Sequence, residues 1–297
     1  MTRNTVLLLG LLVVLIIIAA LVLQKPGERS SSGETGIALA PIDSLAVDKI
    51  EIRTPASSVV LQKNGVEWYL QEPVSYRADQ PTVAAFLHDS KSLEVKNVVS
   101  NKPEKQSVFQ LDSTGTQVKI FEKGLEKVAF VVGKPTSSYS ELYARRSGSN
   151  DVLIVSGAPL HVFSRPVNQW RDKTIFNTSR DNIKEVRYQY GDTTFVLAFK
   201  DSIWTIGKDT AQAEAVSNLL SSLSSVQADD FVDTIVSRPP KLAAQIAYAG
   251  TQLNFFFVKQ GEKYLVQSSA SPQWFEMPSW RANGLLKRKQ DLKKSGR

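Results

Sequence analysis

Two histidines, His88 and His161, are all the imidazole this sequence offers, and it contains no cysteine. Acyl transfer through serine needs a base beside the hydroxyl. The settings that usually supply one, a Gly-x-Ser-x-Gly elbow or a Ser-x-x-Lys pair, do not occur. The missing thiols remove thiolate nucleophiles and Cys-ligated zinc, and two isolated histidines without a His-x-x-x-His spacing make no usual zinc site. Neither a Gly-x-Gly-x-x-Gly nor a Walker-type loop is present to cradle a nucleotide. Asp229 and Asp230 are adjacent, so on a strand their carboxylates would face opposite sides. They read as a solvated turn rather than a calcium or acid–base pair. Trp68 and Trp204 could stack on a sugar or peptide, but they recur at equivalent places in a duplicated segment, which points to the core. No catalytic, cofactor-binding or metal-binding residue is assigned, and the chain is expected not to be an enzyme.

The 297 residues are 42% hydrophobic and 22% charged, an ordinary globular composition. The net charge of +7 is uneven. Arg281, Lys287, Arg288, Lys289, Lys293, Lys294 and Arg297 face the lone acid Asp291 in residues 281–297, which leaves residues 41–280 neutral. Nucleic-acid binding needs a basic face on the folded part, so no nucleic-acid partner is expected. The basic tail, with Lys287, Arg288, Lys289, Lys293 and Lys294, is expected to be solvated, with at most a loose contact to acidic lipid.

Eighteen residues from Val6 to Leu23 carry no charge and consist of Leu, Val, Ile and Ala with one Gly. As a helix they would extend roughly 27 Å, close to a hydrocarbon core of about 30 Å. The run is longer than a signal-peptide core, and no small-x-small cleavage site closes it. An uncleaved transmembrane anchor is expected over residues 1–24, with Val6, Leu11, Leu15, Ile18 and Leu23 in the bilayer. Charge on the two flanks is balanced, and the short N-terminal tail is taken as cytoplasmic. Residues 25–40, with Pro26, Gly27, three serines from Ser30 to Ser32, Gly33 and Gly36, read as a flexible linker.

Beyond the linker the sequence repeats. Asp48 to Ile52 resembles Asn182 to Val186, and Val60-Leu61 with Trp68 lines up with Val196-Leu197 and Trp204. Val83, Phe86, Leu87 and Leu93 match Val216, Leu219, Leu220 and Val226 at one offset of 133. Each copy opens as a hairpin turned by Asn64-Gly65 or Lys200-Asp201. A helix follows, capped by Asp79 in the first copy and by Asp209 or Thr210 in the second, and then come alternating runs that imply antiparallel strands. The repeat core is assigned to Trp68, Trp204, Phe86, Leu87, Leu219 and Leu220. The expected class is α+β: a single transmembrane helix, then two tandem modules of antiparallel sheet plus one helix, over residues 41–176 and 177–280, with the basic tail at 281–297.

The segment Gly65 to Leu70 with Pro73, Ala78-Asp79 before a helix, Gly133-Lys134, Tyr143-Ala144-Arg145, Val152 to Val155, and Trp170-Arg171-Asp172-Lys173 together resemble the domain-of-unknown-function family numbered 4340. The likeness covers roughly residues 45–235 and, less clearly, the remainder to about 280. One departure is Phe109-Gln110-Leu111, where the family tends to have Gly in the middle. The resemblance implies a bacterial protein of the inner membrane, associated with ABC transport systems similar to the gliding-motility auxiliary type, with no established catalytic residues. A non-enzymatic accessory protein is therefore expected, its body on the periplasmic side and its partners the bilayer and a protein of an envelope or transporter complex. The alternative is a tethered module binding an envelope polymer or small ligand in the crevice between the copies.

Overall fold

Alternation of apolar and polar residues in Glu185–Tyr190, and of buried and half-buried residues from Thr251 to Phe256, commits these segments to strands with one buried face. A computed structural model describes residues 36–293, except 192 and 235. The anchor expected over residues 1–24 lies outside the described residues. Among those described, no helix is long and apolar enough to cross a membrane.

The chain divides into two compact units between Asp172 and Lys173. The first is built on a nine-stranded sheet of β1 (Val47–Arg53), β2 (Ser58–Asn64), β3 (Glu67–Glu72), β4 (Tyr76–Arg77), β5 (Glu94–Ser100), β6 (Thr116–Glu122), β7 (Leu125–Pro135), β8 (Leu142–Arg146) and β9 (Val152–Ser156). The spatial order is β4-β3-β2-β1-β6-β7-β8-β9-β5, and every pairing is antiparallel. Helix α1 (Gln80–Lys91) follows β4 and buries Val83, Phe86, Leu87 and Ser90. The Asp79 carboxylate accepts from the Thr82 amide at its start, and Pro81 fills its first turn.

The second unit repeats this order in β14-β13-β12-β11-β17-β18-β19-β20-β16. Its strands are β11 (Glu185–Tyr190), β12 (Thr193–Lys200), β13 (Ile203–Ile206), β14 (Asp209–Thr210), β16 (Asp230–Val232), β17 (Leu242–Tyr248), β18 (Thr251–Val258), β19 (Lys263–Ser268) and β20 (Ser271–Pro278). Helix α2 (Ala213–Ser224) buries Val216, Leu219, Leu220 and Leu223. Two further strands, β10 (Thr174–Asn177) and β15 (Ser225–Gln227), pair as a separate small sheet. Two short helices, α3 (Ser279–Leu285) and α4 (Lys289–Leu292), end the described chain.

These findings correct the α+β expectation. The described residues are mostly antiparallel strand in three sheets, and the second unit carries three helices instead of one. The helix stripes were visible in the sequence, but the shortest strands were not, because pieces of two to four residues show no periodicity. The cap expected from Asp209 or Thr210 is also corrected. Both residues lie in β14, and Gln212 stands at the N-cap without a side-chain hydrogen bond. Asp230 begins β16 instead of sitting in a turn, its carboxylate accepting from the Phe231 amide.

Each unit is wider than its alternating strands. Residues 36–40, read as linker, lie along β5: the Gly36 amide donates to the Val95 carbonyl, Val95 to Ile37, and Leu39 to Leu93. Leu39 and Ala40 are fully buried. In the second unit β10 takes this place against β15, with the Thr178 amide donating to the Ser224 carbonyl. The stretch from Arg281 to Lys293, read as a solvated tail, packs on its unit. Ala282, Leu285 and Leu292 are buried, the Tyr188 hydroxyl donates to the Leu285 carbonyl at 3.1 Å, and the Tyr190 hydroxyl to Lys287 at 2.7 Å. A buried tyrosine must place its hydroxyl somewhere, and these two find the carbonyls of the returning chain.

Candidate functional site

A polar cluster grows from the edge of the first sheet, where β4 meets the segment that closes the unit. A 3-10 turn (Val167–Gln169) leads into Trp170 and Arg171, whose backbone bridges Ala78. The Trp170 carbonyl accepts from the Asp79 amide at 2.8 Å, just ahead of α1. The Trp170 ring is buried and meets Phe86 edge-on, with centroids 5.3 Å apart. Arg171 is buried too, its guanidinium 4.6 Å from the centre of the Tyr76 ring. Beside it Arg77 is gripped from both sides. Its Nη2 and Nε donate to the Glu67 carboxylate at 2.8 and 3.4 Å, and its Nη1 donates to Asp172. The Tyr69 hydroxyl donates to Glu67 at 3.0 Å.

The electrostatics follow from this packing. Arg77, and then the Tyr69 hydroxyl, hold the Glu67 carboxyl below its ordinary range. The same Glu67 contact raises Tyr69, while burial raises Tyr76. The Glu67 carboxylate is therefore occupied by a guanidinium and a phenol. The cluster fastens the closing segment to the sheet edge.

The second unit builds the same joint with other chemistry. Lys293 bridges Ala211 as Arg171 bridges Ala78, and the Gln212 amide donates to the Leu292 carbonyl at 2.8 Å. Leu292 thus stands where Trp170 does, and Asp209 where Tyr76 does. The cation over a ring becomes an ion pair, Lys293 Nζ to Asp209 at 2.5 Å, which holds Asp209 below its ordinary range. Of the basic-tail residues, Lys293 and Lys289 face Asp209, Arg288 lies 3.7 Å from the centre of the Tyr190 ring, and Lys287 supplies a carbonyl to Tyr190. Lys294 lies outside the described residues.

The repeat core is placed as follows. Trp68, Phe86, Leu87, Leu219 and Leu220 are buried, whereas Trp204 is half-buried beside Phe199, with ring centroids 5.4 Å apart. The two copies also differ in how the strand at the tryptophan is held. Gln80 clamps the strand at Trp68, its Oε1 accepting from the Trp68 amide at 2.8 Å and its Nε2 donating to the Trp68 and Ala78 carbonyls. The position equivalent to Gln80, at the first turn of α2, is Ala213, which has no group to close that contact.

A groove of about 520 Å³ in the second unit is lined by Lys184, Glu185, Arg187, Tyr248 and Ser269 among others. A smaller one of about 290 Å³ in the first unit runs past Thr54, Gln110, Gly115, Gly133 and Ser164. Gln110 there is left-handed (φ 56°, ψ 43°), which gives a physical reason for a glycine at this position. Among the described residues no group of three or more His, Cys, Asp or Glu is placed to hold a metal.

The family described as a domain of unknown function (DUF4340) matches residues 68–245, more than half of the chain. The chain belongs to the DUF4340 family. That match runs from β3 of the first unit to β17 of the second, so it reads across both units. No curated protein and no solved structure is detectably similar. The two closing joints were missed in the sequence. The available signal was the recurrence of an apolar residue followed by a cation, Trp170-Arg171 and Leu292-Lys293, at the end of each copy.

Proposed function

We propose that this DUF4340 protein is a non-enzymatic accessory protein, anchored in the bacterial inner membrane by its N-terminal run, with its body on the periplasmic side. It acts through protein–protein contacts in an ABC transport system. The observation that carries the reading is the uncharged run Val6–Leu23, favourable for insertion by about 6 kcal/mol on a translocon scale. A scaffold in which Glu67, Arg77 and Asp209 are taken up in closing the fold supports a structural role over a chemical one. The test is affinity purification of the full chain in mild detergent. An ATPase and a permease are expected to co-purify, and repeated recovery of the chain alone would overturn the transporter assignment. Protease treatment of spheroplasts should degrade residues 36–293 while sparing cytoplasmic markers. The groove at Lys184 and Arg187 supports a second reading, a tethered module for an acidic envelope ligand. Under that reading Arg187→Glu would abolish ligand retention without changing the co-purifying proteins.

A further inference from the structure

At one end of the first unit's sheet, three neighbouring loops each hold an aliphatic side chain in solvent. Leu45, just before β1, is 86% exposed, Val66 in the β2–β3 turn 90%, and Leu125 at the start of β7 75%. They share one end because β1 lies between β2 and β6, with Val47 opposite Glu122 and Lys49 opposite Gln62. Hydrogen bonds tie the loops together. Lys63 donates to the Leu45 carbonyl at 3.4 Å, the Asp43 amide to Glu122 at 2.7 Å, and the Gly124 amide to Asp48 at 2.7 Å. A single exposed leucine is ordinary. Three aliphatic side chains on adjacent, mutually fastened tips form a surface.

The chain ahead of the described residues can bring that surface to a bilayer. It joins the fold at Gly36, beside Val95 near the start of β5. The register from β5 through β9 and β8 to the end of β7 puts this point at the end of the sheet opposite the three tips. Seven strand residues extend about 23 Å. The twelve residues Gln24–Thr35 separate the apolar run from Gly36, and a stretch of that length spans at most about 40 Å. It therefore suffices to run back along the sheet with the tips on the membrane.

We infer that Leu45, Val66 and Leu125 dock the first unit at the headgroup–acyl boundary of the bilayer in which Val6–Leu23 is anchored. The inference rests on the anchored reading proposed above. Acidic Asp43, Asp48 and Glu122 mix with Lys63 and Lys123 around the tips, so docking works by aliphatic burial and needs no anionic lipid. Tethering supplies the local concentration that three side chains need.

The native chain lacks cysteine, so single labels are clean. Full-length Val66→Cys, Leu125→Cys and Tyr139→Cys would each carry a polarity-sensitive fluorophore in proteoliposomes of phosphatidylcholine with brominated lipid. Tyr139 is 80% exposed in the β7–β8 loop, at the opposite end of the sheet. Quenching is expected at 66 and 125, unchanged by high salt, and absent at 139. Deleting Gly27–Glu34 leaves four linker residues, a reach of about 14 Å. It should abolish quenching at 66 while the chain still floats with the vesicles. Equal quenching at all three sites, none at 66 and 125 in a chain that floats, or quenching that survives the deletion overturns the docking alone. Cross-linking between two copies through position 66 without lipid quenching also overturns it, in favour of a second copy as occupant. A chain that fails to float overturns the anchored reading and the docking with it.

Discussion

Gln80 and Gln110 show how single side chains set the local structure of this protein. Gln80 contributes three hydrogen bonds at Trp68 and Ala78, so Gln80→Ala should destabilise the first unit by about 1–3 kcal/mol, seen as a lower denaturant midpoint. Gln110 occupies a left-handed conformation at some cost, and Gln110→Gly should recover about 0.5–1 kcal/mol in the same measurement. Gly133 is the opposite case, since a Cβ there would lie 2.1 Å from the Phe109 carbonyl oxygen, and Gly133→Ala should destabilise. The Glu67 carboxyl is lower in the folded chain than its ordinary value, chiefly because of Arg77. A depressed carboxyl stabilises the fold above the ordinary carboxylate range, and that contribution is lost as pH falls through the folded value. Acid unfolding followed by tryptophan fluorescence should therefore move to higher pH in Arg77→Met. In Glu67→Gln this pH-dependent contribution should disappear.

At the level of elements, the closing segments finish each unit. Leu292 is fully buried, and Leu292→Ala should cost the second unit about 2–5 kcal/mol, a loss a solvated tail could not show. What could be read from sequence divides along the same line. The hairpins turned at Gly65 and Asp201 and the stripes Val83-Phe86-Leu87-Ser90 and Val216-Leu219-Leu220-Leu223 were legible, because period and turn chemistry are local signals. Residues 36–40, β10 and the stretch from Arg281 to Lys293 were not. They are short, polar or basic in composition, and their burial comes from partners 50 or more residues away, such as Leu39 on Leu93 and Tyr188 on Leu285. The joint around Arg77 was hidden for the same reason: Glu67, Arg77 and Asp172 meet only once the sheet edge exists.

For the whole molecule, the sheet, the β10–β15 pair and the closing helices of the second unit all draw on residues from Lys173 onward. Residues 173–297 expressed alone should therefore unfold cooperatively in a single calorimetric transition. The lead ribbon of the first unit carries a mechanical consequence. Gly36, the first described residue, belongs to a strip held to β5 by the backbone bonds of Gly36, Val95 and Leu39, with Leu39 and Ala40 seated in the core behind it. Tension arriving from the N-terminal side meets that strip before any central strand. Those backbone bonds and the buried Leu39-Ala40 pair must give way before the load reaches the sheet itself.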